Sequence, residues 1–215
     1  MRQVRDAKAK IKPKFAIVVD GECEFWYIQM LKRNEKLKSV DLKPEIPQRK
    51  TLSEQYDKVI ELARDYDRVY WVIDFDVVRK ETREAKTHTQ TPLQELKEYF
   101  SAIKNEFENI IITIINNPCF EYWLLLHFEI TSKLYNSYNE LNKRLKKYLP
   151  DYEKSKRYYT LQNNDIYLRL DLKLPVAVAN AKKLKEFDLG NPNIGVSQMY
   201  IFFEDILPFR FLNIS

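Results

Sequence analysis

Two acidic segments in this chain follow apolar runs. Phe15-Ala16-Ile17-Val18-Val19 ends in Asp20-Gly21-Glu22-Cys23-Glu24, and Val69-Tyr70-Trp71-Val72-Ile73 ends in Asp74-Phe75-Asp76. Carboxylates brought within several ångströms of one another repel, and each holds its proton more tightly unless a cation neutralises them. An all-oxygen cluster suits a hard divalent ion, Mg²⁺ or Mn²⁺. Asp74 and Asp76 are two apart, which in extended chain turns both side chains to one side of the backbone. An ordinary explanation stands beside this one. Asp after a strand often caps a helix or shapes a turn, and Glu22 and Glu24 in a first turn complement the helix dipole. Further along, Glu121 and His127 bound an apolar stretch holding Phe120, Trp123, Leu124 and Phe128, where an unpartnered acid or imidazole is costly to bury. Glu121 reads as a further acid in or beside a metal site, and His127 as a hydrogen-bonded structural histidine. His88, in a polar loop, carries no chemical argument.

The elements that must position these groups follow from hydrophobic period. Phe15 to Val19 is short, continuous and branched, as expected of a strand buried on both faces. Glu24, Tyr27, Ile28 and Leu31 then recur at helical spacing, with Gly21 at the sharp turn between. A weaker extended stretch, Val40 to Ile46, stops at Pro47. Thr51 with Glu54 makes a capping box ahead of Leu52, Tyr56, Val59, Ile60 and Ala63. After the second acidic segment comes a polar loop, Arg79 to Gln90. Thr91 and Pro92 then open a helix with Leu93, Leu96, Phe100, Ile103 and Phe107 on one face. Ile110 to Ile115 is the most apolar strand, and Asn116-Asn117-Pro118 reads as the cap and first-turn proline of the next helix. Strands alternating with helices predict an α/β unit with a mostly parallel sheet over residues 1–130. In such a sheet the carboxyl ends of the strands share one edge, so Asp20, Asp74 and the segment leading to Glu121 converge there.

Beyond Thr131 helical patterns dominate, marked by Leu141, Leu145 and Tyr148, by Ala177, Ala181, Leu184 and Phe187, and by Val196, Tyr200, Phe203 and Leu207. Tyr152 to Leu174 has no clear assignment. Residues 131–215 are read as a helical extension packed on the core, because their helices are too few and short for a large core of their own. Lys143, Arg144, Lys146, Lys147, Lys154, Lys156 and Arg157 face only Asp151 and Glu153 between residues 143 and 157, a local positive surface that holds phosphates by charge or is simply solvated helix.

Composition narrows the class. The chain has 215 residues, 45% hydrophobic and 31% charged, with 3 Gly and 9 Pro, which excludes collagen-like, low-complexity and mostly disordered proteins. Its apolar runs fall far short of the roughly 20 residues a membrane helix needs. Met1 to Lys14 is basic but is not followed by the apolar stretch and cleavage site of a secretory signal, so a cytoplasmic protein is expected. Cys23 and Cys119 form no metal or redox motif and read as buried free thiols. A net charge of +5 does not by itself announce a nucleic-acid binder.

Val19 to Tyr27, Val72 to Asp76 and above all Asn117-Pro118-Cys119-Phe120-Glu121-Tyr122-Trp123-Leu124-Leu125-Leu126-His127-Phe128 resemble the RloB-like family. That family is associated with abortive infection and restriction-linked loci and is related to Toprim nucleases. The resemblance covers most of the chain and continues more weakly through Tyr152-Glu153-Lys154, Ala177 to Lys183 and Asn191-Pro192. It implies a Toprim-like fold in which Asp20, Asp74 and Asp76 bind Mg²⁺ or Mn²⁺ for phosphodiester cleavage. Such families usually carry Glu before the Gly; Asp20 is one methylene shorter, and Glu24 is the acid able to share its role. Glu121 is a further candidate at the site. Lys154 is a candidate for neutralising a phosphate, and Lys143, Lys146 and Lys147 for holding the DNA or RNA backbone. The resemblance also implies a partner ATPase. Two functions stand: a metal-dependent nuclease of phage defence, or a non-catalytic nucleic-acid- or protein-binding subunit with a degenerate acidic site.

Overall fold

The central strands carry apolar side chains on both faces, so each face of the sheet must be covered. The computed structural model describes residues 12–37, 40–48 and 51–211. Strands β1 (Lys14–Val18), β2 (Asp41–Glu45), β3 (Arg68–Asp74), β4 (Ile111–Asn117) and β5 (Val196–Ser197) form one sheet in the order β2-β1-β3-β4-β5. The first four are parallel to their neighbours, and β5 runs antiparallel to β4. Phe15, Ile17, Tyr70, Val72 and Ile114 enter one apolar layer; Ala16, Val18, Val69, Trp71, Ile73 and Ile115 enter the other. This is an α/β fold with a mostly parallel sheet flanked by helices, consistent with a Toprim-like arrangement.

Helices α2 (Leu52–Leu62), α3 (Phe75–Glu84) and α4 (Pro92–Glu106) cover the second layer. The first is covered by α1 (Glu22–Glu35), α5 (Glu121–Leu126), α6 (Tyr138–Leu145), α7 (Lys156–Thr160), α8 (Ile166–Leu170), α9 (Leu174–Lys183) and α10 (Met199–Ile206). Capping explains several starts: Thr51 accepts from the Glu54 N–H, and Thr91 with Gln94 completes a full capping box on α4. The helices after residue 131 pack on α1 and α5. Buried Asp165 fixes one such contact, accepting from the Tyr167 and Leu168 N–H groups at the start of α8 and from Arg33 of α1 at 2.6 Å. Among the described residues no helix is long and apolar enough to cross a membrane.

Four local expectations change. Where a loop is predicted from Arg79, α3 continues to Glu84, because Phe75 and Val78, one turn apart, both bury against the sheet. Strand β4 runs on through Asn117 and α5 opens only at Glu121; the Asn117 amide is engaged by the Pro192 and Ile194 carbonyls and does not cap a helix. Val196 belongs to β5, and α10 begins at Met199. The unassigned stretch Tyr152 to Leu174 holds α7, α8 and a single 3-10 turn at Asp171–Lys173.

Candidate metal centre at the carboxyl edge

The chain leaves β1 toward the face covered by α1 and leaves the adjacent β3 toward the opposite face, covered by α3. Such a divergence between neighbouring parallel strands opens a crevice at their carboxyl ends, the usual place for a site in this architecture. Asp20 follows β1, Asp74 is the last residue of β3, and Glu24 sits in the first turn of α1. One oxygen from each of these three carboxylates lies within 4.8 Å of the others. Asp20 and Asp74 are partly buried, while Glu24 is only 3% exposed.

Gly21 makes this approach possible by its size. Its φ of −111° is open to any residue, so a sharp turn is not what selects glycine. A Cβ at this position would stand 2.1 Å from Glu24 Oε2, because the Glu24 carboxylate folds back over the start of its own helix. The crowding has an electrostatic cost. Burial, then the charges of Asp20 and Glu121, push the Glu24 carboxyl up to about 8. Burial with Glu24 and Asp20 holds the Asp74 carboxyl well above the usual carboxylate range.

Asp76 is near enough to this cluster for its charge to raise Asp74 further. Because α3 starts at Phe75, Asp74 and Asp76 do not share the parallel orientation of extended chain, and Asp76 is outside the three-carboxylate group found among the described residues. Its N–H donates to the Pro118 carbonyl at 3.0 Å, which ties the start of α3 to the loop after β4. Burial raises its carboxyl, opposed by the positive charge of Lys154 and the Val77 N–H. Glu121, fully buried, has a complete set of partners. Its Oε1 meets Lys154 Nζ at 2.8 Å and accepts from the Tyr152 hydroxyl at 2.7 Å, and its Oε2 accepts from Cys119 Sγ at 3.1 Å. Burial works against the Lys154 charge, but Glu121 outweighs it and holds the ammonium protonated. Lys154 also sits over the Tyr138 ring, 4.1 Å from its centroid. Both cysteines are free and buried. Burial and neighbouring acids push Cys23 up to about 12 and Cys119 well above its ordinary range, which leaves both as inert thiols.

The remaining candidates lie elsewhere. Lys143, Lys146 and Lys147 are exposed on α6 and the turn after it. Lys143 and Lys147, with Arg144 paired to Glu129 and Lys133 paired to Glu140, line an open cavity of about 470 Å³ that Asp20, Glu24 and Asp74 do not border. His127 is buried with Nδ1 3.0 Å from the Trp123 carbonyl, but its Nε2 has no partner among the described residues, so the expected structural histidine is only half satisfied. Burial lowers it to about 4, which keeps it neutral at physiological pH.

Two residues at this edge escape the sequence reading. Arg79 stands one helical turn beyond Asp76, its charge acts on Asp76, and its Nε is buried without a partner among the described residues. Extending α3 through an Asp-x-x-Arg spacing would have found it. Asn116 Nδ2 donates to Asp74 Oδ1 at 3.4 Å, and Ser197 Oγ donates to Asn116 Oδ1 at 2.6 Å. No local pattern signals that contact, since Ser197 is 81 residues from Asn116.

A comparison with curated proteins and with solved structures finds no match. The family model for RloB-like proteins matches residues 15–206, from β1 to the end of α10, and takes in the three convergent carboxylates together with Asp76, Glu121 and Lys154. With the match spanning both the sheet and the helices packed on it, the chain belongs to the RloB-like protein family.

Proposed function

We propose that the protein is a divalent-cation-dependent hydrolase of nucleic-acid phosphodiester bonds. The observation that carries this reading is the convergence of Asp20, Glu24 and Asp74 at the ends of two adjacent strands. Their chemistry fits the cation: three oxygen donors, two of them on carboxyls raised by burial and mutual repulsion, are relieved by a hard divalent ion. Glu24, reaching back over Gly21, supplies the length that Asp20 lacks.

In this reading Asp20, Glu24 and Asp74 hold Mg²⁺ or Mn²⁺, with Asp76 at the border of the centre. When bound, the ion supplies positive charge against the negative charge that builds on the phosphate. Lys154, kept protonated by Glu121, and Arg79, beside Asp76, flank the acids and draw the phosphodiester toward them. Lys143, Lys146 and Lys147 hold the flanking backbone by charge without reading bases. Neither thiol serves as a nucleophile, since both stay protonated. The family resemblance supports a role in phage defence beside an ATPase partner, and the lack of a secretory-signal pattern after Met1 to Lys14 supports a cytoplasmic setting.

Plasmid, linear DNA and tRNA incubated with the purified protein in Mg²⁺ or Mn²⁺ test this. Cleavage of at least one substrate, lost with EDTA and reduced at least about a hundredfold in Asp74→Asn, is expected. Equal cleavage by the variant, or none by either protein, would overturn the reading. The alternative, a non-catalytic binding subunit, then predicts nucleic-acid or protein binding that survives chelation and no divalent-ion affinity by titration calorimetry.

A further inference from the structure

Asn116 lies beside both Asp74 and the last strand of the sheet. In the β3–β4 register Asp74 stands opposite Asn116, and in the β4–β5 register Asn116 stands opposite Ser197, so the three residues form a row across three strands. Residues directly opposite in neighbouring strands are close enough for their side chains to interact. Asn116 and Ser197 are both fully buried, which makes the partner of each polar atom matter.

The hydrogen bonds in this row run in one direction. The Ser197 hydroxyl accepts from the Met199 N–H at 3.4 Å and gives its proton to Asn116 Oδ1 at 2.6 Å. An amide whose oxygen is engaged in this way must turn its NH₂ group to the other side, where Nδ2 donates to Asp74 Oδ1 at 3.4 Å. Strand β5 cannot slip, because Gln198 is bonded twice to Ile115. Its N–H donates to the Ile115 carbonyl at 3.0 Å, and its Oε1 accepts from the Ile115 N–H at 2.9 Å.

We infer that Asn116, oriented by Ser197, is a positioning residue that sets the Asp74 carboxylate for the cation, so that the C-terminal strand is part of the metal centre. The inference rests on the metal-centre reading above and adds to it an outer layer of hydrogen bonds. Such outer partners fix the direction of a ligand and commonly change metal affinity by about 10–100-fold when removed. A buried amide with a purely structural role would affect stability and leave cation affinity unchanged.

Titration calorimetry with Mn²⁺ on the full chain, paired with thermal unfolding, separates the two roles. Asn116→Ala and Ser197→Ala are each expected to weaken Mn²⁺ binding by about 10–100-fold. Asn180→Ala, which removes a 2.9 Å bond to the Leu126 carbonyl away from the acids, is expected to lower the melting temperature without changing affinity. In the double variant the Ser197 effect should vanish, because it acts only through Asn116. Parent-like affinity in folded Asn116→Ala or Ser197→Ala, or additive losses in the double variant, would overturn the inference while leaving the metal centre standing. Absence of Mn²⁺ binding by the parent would remove both. Should Asn116→Ala not fold, Ser197→Ala alone decides the matter, since it leaves the amide in place.

Discussion

Glu24 shows how one side chain links packing to pH. Its carboxyl is raised from an ordinary value of 4.5 to about 8, so the folded protein without cation binds a proton there that the unfolded chain has released. Between those values stability therefore falls as pH rises, and it is greatest with respect to this group at the acid end of the window. Thermal unfolding from pH 5 to 8.5 in EDTA should show a decline that is much flatter in Glu24→Gln. Mn²⁺ should raise the melting temperature of the parent more at pH 8 than at pH 6, because ligands must lose protons to bind it. A parent curve parallel to that of Glu24→Gln would refute the assignment. Asp20 and Asp74 were legible in the sequence because each ends an unbroken apolar run, which fixes the strand end and hence the edge. Glu24 was visible only as a dipole-favoured acid or a stand-in for Asp20. That Gly21 leaves room for its carboxylate is a property of side-chain volume in three dimensions.

Among the elements, α3 departs most from expectation, and the departure has a chemical result. Starting the helix at Phe75 takes Asp76 out of the extended chain that ends at Asp74, leaves it where the charges of Lys154 and Glu121 act on it, and brings Arg79 within a turn of it. Arg79→Ala is expected to weaken nucleic-acid binding about tenfold and to reduce the slope of log affinity against log salt by about 1, with Mn²⁺ affinity unchanged. A salt slope equal to that of the parent would exclude a phosphate contact. Strands β1, β3 and β4 were readable because they are long apolar runs. The charged, proline-bearing β2 gave only a weak extended signal, as suits a sheet edge. Helices α7 and α8 are five residues each, too short to display a period, and α8 is held by contacts of Asp165 with Arg33 and Asn34 more than 130 residues away.

At the scale of the whole molecule, the sheet separates two apolar layers, and the acids occupy the edge where the chain passes to opposite faces. Lys143 and Lys147 line a cavity that Asp20, Glu24 and Asp74 do not border, and the proposed function gives them and Lys146 a part in affinity and not in chemistry. Replacing Lys143, Lys146 and Lys147 together by alanine should weaken binding of unrelated nucleic-acid sequences alike and lower the salt slope by about 2–3, while cleavage at saturating substrate stays near that of the parent. A loss confined to one sequence would contradict a contact made by charge alone. The two-layer α/β class was legible from the alternation of strands and helices, but the closing edge of the sheet was not, since two residues cannot announce a strand. That edge has a consequence for synthesis. Ser197 is translated well after Asp74 and Asn116, so a nascent polypeptide that has not reached β5 holds the Asn116–Asp74 contact without the hydroxyl that orients the amide. If the metal-centre reading holds, such a polypeptide binds the cation more weakly than one that already includes β5.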